Sequence, residues 1–347
     1  MRTLILILSA IFALCDAAHA AGVVGTGTPG SCTEAALRRA MTTDGVVTFS
    51  CGAAPVTITV TSPLATGWRG TASNITINGA GLVTLSGGGR RQIFTFTGGR
   101  VTLSGLNLID ASGINGGAIL SGATTLIVNQ CEFDGNRARY GGAIYNIMGS
   151  VTVSDSRFFG NQATSGGAIF SSQGEATTAS MTVQGGVFEL NRAYDGAALY
   201  LESGELSLTN TSVQRNMASD EGGGVYVAGG HVSTTRSWLN NNRAVLGGGL
   251  FAGPRVPIDL TDTEVSFNTS TSTGGGIYNM GLMSLTGGSI DGNIASNNGG
   301  GLYSSGFVLA DGITFRGTAH TPTAVRSTRL REVPWPSRTA RCSTTPP

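Results

Sequence analysis

The side chains able to do chemistry fall into three groups. The first is acidic. Asp220 and Glu221 are adjacent, and Asp259, Asp262 and Glu264 lie along one short stretch. Such oxygen-rich groupings hold Ca²⁺, and carboxylates roughly 5–9.5 Å apart hydrolyse glycosidic bonds. The solvated-surface reading is preferred here. Asp134, Glu189 and Asp291 occupy matching places in a repeat, but Phe159, Gln214, Asn240 and Ser266 stand there in the intervening copies, so the acids do not cluster. His231 is the one histidine inside the repeats, and a hydrogen-bonded or solvent-facing role is preferred for it over catalysis. No Cys/His grouping has metal-ligand spacing, and there is no lysine for Schiff-base chemistry. No metal, cofactor or catalytic residue is assigned.

The other two groups suit binding. An aromatic recurs at one place in seven successive copies: Tyr145, Phe170, Tyr200, Tyr226, Phe251, Tyr278 and Tyr303. Exposed, they would form a stacking platform for sugar rings or a partner. Stacked on one another, they would only stiffen a sheet, and that reading is preferred. Arg137, Arg192 and Arg243 each follow an asparagine in alternate copies. They have the spacing to grip an acidic polysaccharide, against a preferred reading as scattered solvated arginines. An insertion, Ser171 to Ser180, is a further surface-loop candidate whose sequence names no ligand.

A repeat positions all of these residues. A glycine element begins at Gly116, Gly141, Gly166, Gly196, Gly222, Gly247, Gly274 and Gly299, at spacings of 25 to 27 residues with one step of 30. Its fourth position is always aliphatic: Ile119, Ile144, Ile169, Leu199, Val225, Leu250, Ile277, Leu302. An alternating strand follows, as in Val151-Thr152-Val153 and Leu206-Ser207-Leu208, with apolar residues inward and Ser/Thr outward. An apolar-x-x-Asn element ends at Asn136, Asn161, Asn191, Asn216, Asn242, Asn268 and Asn293. Three short strands per copy, without helices between them, describe one coil of a parallel β-helix. The glycines permit positive φ and close backbone approach. The asparagines are expected to stack about 4.8 Å apart in a buried amide ladder, a structural role.

The 347-residue chain has a formal net charge of +1 and 12% charged residues, so it does not point to nucleic acid. Arg2, the apolar run Leu4 to Leu14 and Ala18-His19-Ala20 read as a secretory signal over residues 1–20. No later segment is apolar for long enough to span a membrane, so the mature chain is expected to be exported, with no transmembrane segment. Export permits a disulfide, and Cys32 and Cys51 flank a short helix candidate as a staple. Cys131 is expected to be a small core residue, and Cys342 to lie unpaired in the tail. In residues 21–115, Ser31 and Glu34 form a capping-box pattern ahead of an apolar helical face, Ala35 to Met41, that would plug the open end of the strand stack. Short strands are expected at Val46–Phe49, Val56–Val60, Ile75–Ile77, Leu82–Leu85, Ile93–Phe96 and Val101–Leu103.

The glycine element and the Phe-x-x-Asn element recur together at a constant offset over about two-thirds of the chain. This pair resembles the repeats of polymorphic outer membrane proteins and, more broadly, the pectin-lyase-like right-handed β-helix proteins of bacteria. The resemblance implies an exported surface passenger, often adhesive. Such passengers usually precede a membrane β-barrel, for which no stretch here is suited, so anchoring and autotransport are not carried over. The Gly-His-Gly and Asp-Asp motifs of β-helix pectin hydrolases are also missing.

After Gly317 the period stops in mid-coil, with Thr318 where an asparagine is due. Residues 318–347 read as an irregular tail from a shifted reading frame, so the natural chain is expected to be longer. The tail is expected to be disordered, and the uncapped last coil to self-associate. The expected fold is all-β: a right-handed parallel β-helix of roughly eleven coils, with a short N-terminal capping helix, the regular repeats spanning residues 116–317. The expected function is a non-catalytic, secreted, extracellular or outer-membrane-surface protein of a bacterium, adhesin-like, binding a polysaccharide or surface protein. The alternatives are a polysaccharide lyase or glycoside hydrolase of the same fold, and a structural spacer.

Overall fold

The computed structural model describes residues 20–66, 74–174 and 180–317. The secretory signal, the inner part of the Ser171–Ser180 insertion and the 318–347 tail therefore lie wholly or mainly outside the described residues. The remainder winds as a β-solenoid of about 11 turns in which every paired strand is parallel.

Three ladders run along the solenoid, as the repeat implies. The first follows the glycine element and has ten strands, from Leu64–Thr66 and Phe94–Thr97 through Ile144–Ile147 to Leu302–Ser304. The second carries the alternating strands, such as Ser150–Ser154 and Glu205–Thr209. The third carries the strands that lead to the asparagines, such as Arg157–Phe159 and Ser212–Gln214. The second and third are joined into one 21-stranded sheet by two long strands, Asn74–Ser86 and Arg100–Ile109, which cross the corner between them. Ile75–Ile77 and Leu82–Leu85 were expected as separate strands and are instead the two halves of one. A fourth, five-stranded ladder was not expected. It begins at Arg192–Ala193 and ends at Ile294–Ala295, just beyond the asparagines.

Single residues in the left-handed region turn the corners. Gln130, Asp155 and Asn210 stand between the second and third ladders at φ of 46° to 50°, and Leu190, Arg215 and Phe267 precede the asparagines at 54° to 57°. A non-glycine residue pays a steric cost there, since Cβ crowds the backbone. In the glycine element the two glycines have different reasons. Gly141 has φ +61°, while a Cβ on Gly142 would lie 2.1 Å from the carbonyl oxygen of Gly167 in the next coil. The coil of Gly196 carries Ala197 at the matching place, its amide 3.2 Å from the Gly222 carbonyl oxygen, so the close approach favours glycine without requiring it in every coil.

The aliphatic residues Ile119, Ile144, Ile169, Leu199, Val225, Leu250, Ile277 and Leu302 are all fully buried in one column. Phe133, Phe158 and Phe188 stack inside the third ladder with ring centroids 4.6 and 4.7 Å apart. Cys131 is buried as a free thiol, and burial raises its pKa to about 11.

The amino-terminal end is closed by the helix Glu34–Ala40, which buries Leu37 and Ala40. Its cap differs from the expected capping box. Thr33, and not Ser31, is the N-cap, and its side chain accepts from the Ala36 amide at 3.2 Å. Ser31 instead sits in a preceding 3₁₀ turn and accepts from the Thr26 amide. Glu34 reaches across to Thr61 and is paired with Arg38. Cys32 and Cys51 form a disulfide, with Cα atoms 5.7 Å apart, that ties the helix region to the first coils.

The seven asparagines are at most 1% exposed. From Asn136 to Asn268, each donates from Nδ2 and from its backbone amide to Oδ1 of the next asparagine, at 2.9 to 3.1 Å. The second Nδ2 hydrogen goes to a third-ladder carbonyl at 2.7 to 3.0 Å, from Leu108 O for Asn136 to Val265 O for Asn293. Asn216→Ala strands donors on Asn191, removes the side-chain donor to Phe188 O, and leaves Asn242 Oδ1 with the backbone amide alone, in a dry interior. It is expected to cost about 1–3 kcal/mol in chemical denaturation. An unchanged midpoint would contradict the ladder.

Candidate functional site

The predicted aromatics come together. Strand alternation turns them away from the column of Ile144, Ile169 and Leu199, and parallel register stacks them coil on coil. From Tyr145 to Tyr303 the seven rings form an unbroken stack with centroids 4.5 to 5.2 Å apart and interplanar angles of 3° to 26°. Phe170 and Phe251 are buried, and the five tyrosines are half-buried. Along the column the five inner rings therefore have both π faces covered by their neighbours. What remains open to solvent is a track of ring edges and phenol oxygens.

The predicted arginines also share one line. Arg137, Gln162, Arg192, Met217, Arg243 and Thr269 are in register along the short ladder and the bridges that lead into it. Arg137, Arg192 and Arg243 are exposed, and none is in an ion pair among the described residues. One face away, Arg157 is held by Glu132 and Glu189, and Arg215 by Glu189. Beside Arg192 lies an open depression of about 470 Å³ lined by Gln162, Thr164, Tyr194, Met217 and Ser219. Tyr194 and Met217 are 51% and 42% exposed there, an apolar pair next to a cation.

Between the arginine line and the aromatic stack runs the glycine corner, and acids gather on it. Asp195 sits one coil before Asp220 and Glu221. Its Oδ1 accepts the Glu221 amide at 3.1 Å. Partial burial, and then the charges of Asp195 and Asp220, push the Glu221 carboxyl up to about 7. Burial, with a smaller push from Asp220, raises Asp195 as well, although the Glu221 amide opposes it. The Tyr194 phenol is raised by its hydrogen bond to Asp220. Sequence reasoning took Asp220 and Glu221 as an isolated pair and missed Asp195 and Tyr194. The signal was present, since Glu221 follows Asp195 by 26 residues, one coil.

His231 bridges three coils. Its Nδ1 lies 2.9 Å from Glu205 and its Nε2 2.9 Å from Asp259. The hydrogen bond to Asp259 outweighs desolvation and raises its pKa. Asp259 is thus engaged with His231, and Glu264 accepts from Ser266. Among the described residues no three His, Cys, Asp or Glu side chains are grouped to hold a metal ion, and no helix is long and apolar enough to cross a membrane.

With this geometry in place, the comparison with family models gives one result. Residues 130–147 and 155–172 match the Chlamydia polymorphic membrane protein repeat. The matched stretches each run from the third ladder through an asparagine and the glycine element into the first ladder, so the repeat model and the structural coil share one unit. Comparison with curated proteins gave no match, and comparison with solved structures gave none.

The titrations set a pH window. Burial disfavours the charged form of Glu34, but hydrogen bonds from Thr61, Arg38 and Ser62 outweigh it and hold the carboxyl at about 2. Its contribution is present above 4.5 and is lost as pH falls through 2. Glu221 and His231 are raised in the fold, so their contributions are present below 4.5 and 6.5 respectively. Glu221's is lost as pH rises through about 7, and that of His231 as pH rises through its own raised value. Thermal stability is expected to be greatest on the acid side of neutrality and to fall toward pH 8. Glu221→Gln should flatten that fall. A melting temperature that climbs steadily from pH 5 to pH 8 would contradict the assignment.

Proposed function

We propose that this is an exported, surface-exposed, non-catalytic β-solenoid that binds linear acidic glycans along the glycine corner. The match to a repeat named for polymorphic membrane proteins supports surface exposure. The observation that carries binding is the line Arg137, Arg192 and Arg243: three exposed cations in register, without ion pairs among the described residues, with an open depression beside Arg192. The tyrosine track lies on the other side of the corner, beyond the acids, and is a separate line of phenol hydroxyls along the axis. Since the rings spend their faces on one another, the aromatics contribute edge and hydroxyl contacts in place of a stacking platform.

A second reading rests on Glu221. A carboxyl that keeps its proton to about pH 7 beside two other carboxylates has the character of a general acid in glycoside hydrolysis. Release of reducing ends from a glycan, lost in Glu221→Gln, would favour this reading over pure binding.

Exposed ion pairs contribute up to about 1 kcal/mol each, so Arg192→Gln/Arg243→Gln is expected to weaken binding to an acidic glycan about tenfold. Arg236→Gln, an exposed arginine on another corner, is expected to change it by less than about twofold. Titration calorimetry on a glycan-array hit measures both. Equal losses in the two variants would reduce the binding to unspecific charge attraction.

A further inference from the structure

The arginine line is periodic, and its period carries information about the ligand. Cations occupy every second coil, and the coils between present Gln162 and Met217 at the same place. With strands about 4.8 Å apart, neighbouring guanidinium groups in the line stand about 10 Å apart along the axis. An extended polysaccharide advances by two sugar rings over a similar length. We infer that the site selects a linear glycan carrying one carboxylate or sulfate per disaccharide, and disfavours a chain charged on every sugar. The inference rests on the binding function proposed above and specifies its ligand.

Three features of the intervening coils support it. Gln162 offers an amide to a neutral sugar and no charge to an acidic one. Met217, with Tyr194 beside it, gives an exposed apolar surface on which the uncharged face of a sugar ring can lie. A carboxylate placed on Met217 would lose hydration without meeting a cation. It would also approach Asp220, which binds the Tyr194 phenol, and Glu221 beside it. A densely charged chain therefore meets an attractive and a repulsive position in turn, and specificity arises from the repulsive one as much as from the attractive one.

The test compares the intact protein's affinity, by calorimetry at low and physiological salt, for hyaluronan (one carboxylate per disaccharide), polygalacturonate (one per sugar), neutral dextran and single-stranded polynucleotide. Hyaluronan is expected to bind at least about fivefold more tightly than polygalacturonate. Met217→Arg fills the gap in the cation line and should shift preference toward polygalacturonate, and Gln162→Arg should act in the same direction one gap earlier. Equal affinity for the two polysaccharides, or no shift in a folded arginine variant, overturns the spacing inference and leaves acidic-glycan binding standing. Binding of dextran as tight as that of hyaluronan, or no binding to either acidic chain, overturns both. Tighter binding of the polynucleotide replaces the glycan with a different polyanion and overturns both as well.

Discussion

A solenoid of this narrow bore must bury a polar corner in every turn, and everything else depends on how that corner is satisfied. Buried amides that lack partners cost more than hydrogen bonds gain. From Asn161 to Asn268 every side-chain amide fills both donors and accepts twice. That arrangement works only if consecutive coils sit at strand spacing and in register. The same spacing favours glycine at Gly142, where an added Cβ would lie 2.1 Å from the next coil's carbonyl oxygen, and brings the aromatic rings into contact outside. The apolar column from Ile119 to Leu302 supplies burial, and the asparagines supply the register.

The architecture was legible because its signals repeat. Glycine, aliphatic and asparagine positions recur together in seven successive coils, from Asn136 to Leu302, so one face assignment is checked many times along the chain. The lead-in region was less legible because its strands carry no such echo. Asn74–Ser86 crosses a corner by a local irregularity between Asn78 and Val83, and reads in the sequence as two pieces. The capping residue was misplaced by two positions because Ser31 and Thr33 both suit an N-cap, and only the backbone shows which one precedes the helix. At the corner, the arginine line and aromatic column were read from spacing alone. The acids were not, because Asp195 and Glu221 meet through stacking while the sequence shows Asp220 and Glu221 as neighbours.

Charge is distributed with a bias that composition conceals. On the third-ladder face, Glu132, Arg157, Glu189 and Arg215 neutralise one another across successive coils. On the second-ladder face, His231 is closed by two carboxylates. The glycine corner is different: cations lie along one side and acids along its crest, without direct pairing between them. The acids of the crest are held instead by neutral donors, Asp195 by the Glu221 amide and Asp220 by the Tyr194 phenol.

The asparagine ladder also has a direction. Strand hydrogen bonds along the solenoid point both ways, as Ile119 N to Ala143 O and Arg137 N to Ala111 O show, and their dipoles largely cancel. The side-chain amides do not alternate. Each Oδ1 accepts from the coil before it, and from Asn136 to Asn268 one Nδ2 hydrogen reaches toward the coil after it. Seven amide dipoles therefore add along the axis, in the manner of a helix macrodipole built from side chains, and each link polarises the next. The interior of this nearly neutral protein has an electrical polarity, negative toward the capping helix and positive toward the last coils.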